Sequence, residues 1–93
     1  MIRSFKCRET EKIWKGTRSQ RLPTDIQERA LRKLRQLNAS ICLQDLKMPP
    51  SNHLKRLSGN KREQYSIRIN DQWRLCFDWN DGDSYEVEVI DYH

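Results

Sequence analysis

Tyr65 to His93 reads YSIRINDQWRLCFDWNDGDSYEVEVIDYH, and the alternation inside this stretch decides the fold. Apolar residues recur at every second position in three runs: Tyr65, Ile67, Ile69; then Trp73, Leu75, Phe77, Trp79; then Tyr85, Val87, Val89. A period of two sends successive side chains to opposite faces of an extended chain. The β-branched and aromatic content suits a half-buried pleated surface. Asn70-Asp71 and Asn80-Asp81-Gly82-Asp83 interrupt the runs, so the stretch predicts an antiparallel three-stranded meander.

The same alternation sets a register, because residues directly opposite each other on paired strands share a face. With odd-numbered positions toward the core, Ile69 pairs near Trp73, Ile67 near Leu75 and Trp79 with Tyr85. That pairing requires an odd-length loop, or a bulged two-residue turn, at Asn70-Asp71-Gln72. On the other face Arg68 then opposes Arg74, Arg74 faces Ile90 and Gln72 faces Tyr92. Like charges placed opposite each other normally destabilise a sheet. Arg68, Arg74 and Tyr92 converge there, with His93 beside them, and two guanidiniums, a phenol and an imidazole suggest an anion site for phosphate.

Upstream, the periodicity changes from two to three and four. Ile26, Ala30, Leu34, Leu37 and Ile41 form an apolar stripe with Leu31 at its flank, predicting a helix that ends at Asn38-Ala39-Ser40. Thr24 or Asp25 is placed to N-cap it after Pro23, with Gln27 completing a capping box to Thr24. Glu9–Lys15 reads as a weaker helix presenting Ile13 and Trp14 and closed by Gly16. Ser40 opens a short helical turn through Leu43 and Leu46 that Pro49-Pro50 stops, and Leu54–Leu57 reads as a short strand. Met1–Lys6 can add a further strand beside the meander. The expectation is one α+β domain over residues 1–93, with two helices packed on one face of a twisted, mostly antiparallel sheet.

The net charge of +5 hides an asymmetry. Residues 1–62 carry 16 Lys/Arg against 5 Asp/Glu, whereas residues 63–93 carry 2 against 8. A basic body of this kind favours nucleic acid or an acidic protein as partner. Cys7, Cys42 and Cys76 show no metal-ligand or redox spacing and read as buried, reduced thiols. MIRSFKCRE has no apolar leader core and no run reaches membrane-spanning length, so a cytoplasmic location away from membranes is expected.

The chemistry on offer is cationic. Lys55, Arg56, Lys61 and Arg62 precede Arg68 and Arg74, and such a row can follow a phosphodiester backbone. Pairing of Arg74 with Glu88 diagonally across the strands is the competing assignment. Asp91-Tyr92-His93 adds two titratable groups to the arginines, and RNA cleavage needs little more than a base, an acid and a cationic clamp, although the three residues alone favour a frayed tail whose Tyr packs on a neighbour. Asp78, Asp81, Asp83, Glu86 and Glu88 alternate along a hairpin and follow no metal-loop template, so no metal or other cofactor is expected. His53 reads as an exposed loop residue.

With SIRINDQWRLCF and the terminal DYH in view, the chain resembles the HigB-type toxins of the RelE/ParE superfamily. MIRSFKC, LPTDIQERALRKLRQLNA, DLKMPPSNHLKRLSGNKREQYSIRINDQWRLCFDW and VEVIDYH extend the resemblance over essentially the whole chain. Where relatives commonly read Gly-Asp-Arg, this chain has Gly59-Asn60-Lys61. The resemblance implies a metal-independent endoribonuclease that cuts mRNA in the ribosomal decoding site and so inhibits translation. It further implies a helix-turn-helix antitoxin (HigA-like) as partner, with operator DNA bound only through the antitoxin complex. Catalytic roles carry over to Arg74, Asp91, Tyr92 and His93. Lys55, Arg56, Lys61, Arg62 and Arg68 stand as RNA-binding candidates on register and charge. A non-catalytic toxin of the same fold, acting on a protein such as gyrase, is the second reading, and the Tyr-His terminus with the sheet arginines favours the first.

Overall fold

A computed structural model describes residues 1–57 and 63–91. The meander forms as β2 (Gln64–Arg68), β3 (Trp73–Asn80) and β4 (Asp83–Asp91), and β1 (Lys55–Leu57) joins its outer edge. All four strands pair antiparallel in the order β1-β2-β3-β4. Helices α1 (Arg8–Trp14) and α2 (Thr24–Ala39) pack with this sheet, giving an α+β fold.

The turn between β2 and β3 shows why the register lands where alternation puts it. Ile69 N–H donates to the Trp73 carbonyl at 2.9 Å, and Asn70 Oδ1 accepts the N–H groups of Gln72 and Trp73 at 2.9 and 2.8 Å. A side-chain amide thus replaces the backbone partners that the tight reversal removes. From there Arg68 pairs with Arg74, Ile67 with Leu75 and Arg74 with Ile90.

The expected pairing of Trp79 with Tyr85 is not observed. Asp78 lies opposite Tyr85 and Trp79 opposite Ser84, because the register slips by one after Cys76. The extra residue is on β4, where Glu86 takes a left-handed φ of 53°. A bulge reverses which side chains face inward beyond it, so Ser84 is buried with Val87 and Val89 while Tyr85 is only half-buried. The N-terminal segment satisfies the groups that the bulge frees. Ser4 Oγ accepts the Glu86 N–H at 2.9 Å, and Ile2 and Phe5 form parallel bridges to Ser84 and Val87.

Both helices bury their stripes and end where expected, but the start of α2 is capped differently. Gly16, at φ 83°, closes α1: its N–H reaches the Ile13 carbonyl and the Thr17 N–H the Lys12 carbonyl, the two bonds of a Schellman stop. At the start of α2 the cap position is Pro23 and no side chain caps it. Gln27 turns back instead, accepting the Ser19 N–H and donating to the Ser19 and Leu22 carbonyls, which ties down the loop before the helix. Ile26, Ala30, Leu34 and Leu37 are buried against Ile67, Leu75, Phe77, Val87 and Val89. Ile41 is 81% exposed, because the helix stops at Ala39 and the 3.6-residue period no longer governs it. The following 3₁₀ turn runs Leu43–Lys47 and buries Leu46. Of the three free cysteines only Cys76 is buried; Cys7 is half-buried and Cys42 exposed.

Candidate functional site

The face of the sheet turned away from α2 is organised around Arg74. This side chain is only 7% exposed, yet it lies outside the apolar core. Its Nε donates to Ser66 Oγ at 2.9 Å, and Nη2 donates to the Ser66 carbonyl at 3.3 Å and to the His53 carbonyl at 2.5 Å. Cys76 opposes Ser66 across the strands, so Ser66 and Arg74 are diagonal neighbours, within reach of a long side chain. These acceptors are neutral oxygens that orient the guanidinium.

The His53 carbonyl is brought to Arg74 by a chain of contacts from α2. Asn52, fully buried at the end of a 3₁₀ turn (Pro50–Asn52), donates to Gln36 Oε1 and to the Leu46 and Met48 carbonyls, and its Oδ1 accepts from Lys33. His53 then adopts a left-handed φ of 44° and directs its carbonyl at the arginine. His53 is the exposed loop residue expected from the sequence, and what the fold uses is its backbone carbonyl. Ser66 was legible, since register places it diagonal to Arg74, while the Asn52 clamp leaves no periodic signature.

Arg68 and Arg74 share a face as register predicts, but they do not converge on one point. Arg68 turns to Asp71 in the turn, while Arg74 sinks toward Ser66 and His53. Separate partners relieve the repulsion expected of the pair. Glu88, the diagonal alternative for Arg74, lies 3.6 Å from Lys6. Asp91 closes β4 opposite Trp73, one pair beyond Arg74, and its Oδ2 accepts from Gln72 Nε2 at 3.0 Å. Lys55 opposes Ser66 and therefore shares the arginine face, whereas Arg56 opposes Tyr65 and points to the other side of the edge strand; both are exposed. Lys61, Arg62, Tyr92 and His93 lie outside the described residues.

Further along this face a cavity of about 130 Å³ is lined by Lys6, Leu57, Gln64, Cys76, Asp78 and Glu86. Burial first, and then the charge of Glu88, push the Cys76 thiol up to about 11. A thiol that stays protonated at neutral pH is no nucleophile, which leaves Cys76 a packing residue. Another groove, of about 850 Å³, lies at the other end of the sheet among Ile41, Leu43, Trp79, Tyr85, Glu63 and Asp81. Its carboxylates have the wrong sign for phosphate, so the arginine face is the better anion surface.

Comparison with known proteins gives a consistent picture. The family described as RelE-like toxin of type II toxin-antitoxin system HigB matches residues 3–93. Toxin HigB-1 of Vibrio cholerae is 39% identical over 83 residues, covering 88% of this chain and 87% of that protein. An uncharacterized protein of Haemophilus influenzae is 34% identical over 68 residues, covering 73% of this chain and 67% of that one. Among the described residues, no helix is long and apolar enough to cross a membrane.

Proposed function

The chain belongs to the RelE-like HigB toxins of type II toxin–antitoxin systems, and from that premise we propose that it is a metal-independent endoribonuclease cutting mRNA in the ribosomal decoding site. The observation that carries this reading is Arg74, oriented by Ser66 and His53 on the face where β4 ends at Asp91. Its donors are directed before substrate arrives, so little reorganisation is needed when charge develops on a phosphoryl group.

In this reading Tyr92 removes the 2′-hydroxyl proton and the 2′-oxygen attacks the adjacent phosphorus. His93 protonates the departing 5′-oxygen, leaving a 2′,3′-cyclic phosphate. Arg74 offsets the charge on the non-bridging oxygens. Asp91, held to Gln72 across the strands, anchors the strand end that leads into Tyr92 and His93. Lys55 and Arg68 lie on the same face to follow the backbone, and Arg56, Lys61 and Arg62 are the further RNA-binding candidates of this reading. No step requires a metal or an organic cofactor.

Membership of the family implies an antitoxin partner. In our reading it is a helix-turn-helix protein (HigA-like) that neutralises the toxin in the cytoplasm and carries it to operator DNA. The test is to induce the toxin and map message 5′ ends. New ends inside translated reading frames, absent for Arg74→Ala and absent when initiation is blocked, are expected. Growth arrest with intact messages and altered plasmid supercoiling would instead identify a gyrase-directed, non-catalytic toxin.

A further inference from the structure

A second cationic hollow lies between α2 and the turn joining β2 to β3. It encloses about 340 Å³ and is lined by Arg29, Arg32, Lys33, Ser51, Arg68 and Asn70. Arg29, Arg32 and Lys33 stand at i, i+3 and i+4 on one helix face, where like charges destabilise the helix. Two of the four cations have carboxylates: Glu28 lies 2.9 Å from Arg32, and Asp71 pairs with Arg68. Both acids are well exposed, at 79% and 95%, so water and salt screen them and a ligand can displace them. Among the described residues no carboxylate pairs with Arg29 or Lys33. Lys33 instead donates to the neutral Asn52 Oδ1. Burial, and then the charge of Arg29, hold its ammonium below the usual lysine range.

The remaining polar groups fit the same ligand. Asn70 spends its Oδ1 on the N–H groups of Gln72 and Trp73, which leaves its Nδ2 as a donor, and Ser51 adds a hydroxyl. A hollow lined by donors, with cations in excess of its carboxylates, is well matched to an anion. We propose that it is a phosphodiester site, binding the RNA backbone beside the phosphate held at Arg74. RNA is favoured over an acidic peptide by position: Arg68 of the hollow pairs directly with Arg74, one strand spacing away. The ligand assignment rests on the endoribonuclease reading; the anion preference of the hollow does not.

The test uses the full chain and the double variant Arg29→Ala/Arg32→Ala, with Arg29→Gln as a milder second variant; both residues are exposed, so folding should survive. Three binding measurements are compared: a 2′-O-methyl RNA 12-mer, which cannot be cleaved through its 2′-oxygen; vacant ribosomes; and an oligo-glutamate peptide. The double variant is expected to bind RNA about tenfold more weakly and to lower the salt slope by roughly 1 for each phosphate it no longer neutralises. Weakening with the 12-mer places message in the hollow, and weakening with ribosomes alone places ribosomal RNA there. Unchanged RNA binding in a folded variant overturns the proposal, whether or not peptide binding falls. Weaker RNA binding by the double variant, together with no new message 5′ ends when the unaltered chain is induced, would leave the phosphate site standing and remove the nuclease reading.

Discussion

The two faces of β3 are about equally buried and are built from opposite chemistry. Toward the helices, Leu75, Phe77 and Trp79 pack in the apolar core; toward the other side, Arg74, Cys76 and Asp78 are just as hidden from water. The first face is held by area removed from water. The second is held by specific acceptors, because a buried polar group without a partner costs free energy. One face can therefore be repacked with other side chains of similar volume. The other depends on particular atoms, the Ser66 hydroxyl and the His53 carbonyl, which hold the Arg74 guanidinium.

The sharpest separation of the two faces comes from the terminus. Changing Tyr92→Phe and His93→Gln together should lower message cleavage by roughly 10²–10⁴-fold, while the melting temperature and antitoxin binding stay near the parent's. Full cleavage by that variant, read from mapped 5′ ends, would remove both residues from the mechanism. Arg74→Ala comes next. It should reduce cleavage by roughly 10²–10³-fold and also destabilise the fold by about 1–3 kcal/mol, since it strands acceptors that a merely repelled arginine would not have. Chemical denaturation of Arg74→Ala with no loss of stability would show that those hydrogen bonds contribute little.

Leu75→Ala probes the opposite face. A fully buried leucine in this core should cost about 2–5 kcal/mol in denaturant unfolding, with cleavage per folded molecule unchanged. A drop in cleavage beyond the folded fraction would mean that the two faces are coupled. The smallest effect belongs to Cys76. Burial raises its folded pKa to about 11, above that of an unfolded cysteine. Its contribution is then fully present below the unfolded pKa and is lost as pH rises through the folded one. Stability should decline with pH across that alkaline window, and Cys76→Ala should flatten the slope.

Some of this was legible in the residues. Alternation through Ile67, Ile69, Trp73, Leu75 and Phe77 located β2 and β3, and parity alone placed Arg68 opposite Arg74. The helical stripe failed only at Ile41, where it ran past the end of the helix. The bulge at Glu86 was not legible, because nothing in YEVEV marks an extra residue until the N-terminal segment docks beside it. Nor was the capping role lost by Thr24, since Gln27 was drawn to the Ser19 loop by tertiary packing.

The sequence by itself determined the strands, the α2 stripe, the shared face of the two arginines and the excess of cations in residues 1–62. These are properties of neighbours in the chain, where periods of two and 3.6 translate directly into faces. Only the tertiary structure decided which oxygens hold Arg74, where the register slips on β4, and that Arg29, Lys33 and Arg68 share one hollow. Those outcomes depend on contacts between residues far apart in sequence. A local period carries no information about which distant backbone carbonyl or side chain will arrive to complete a site.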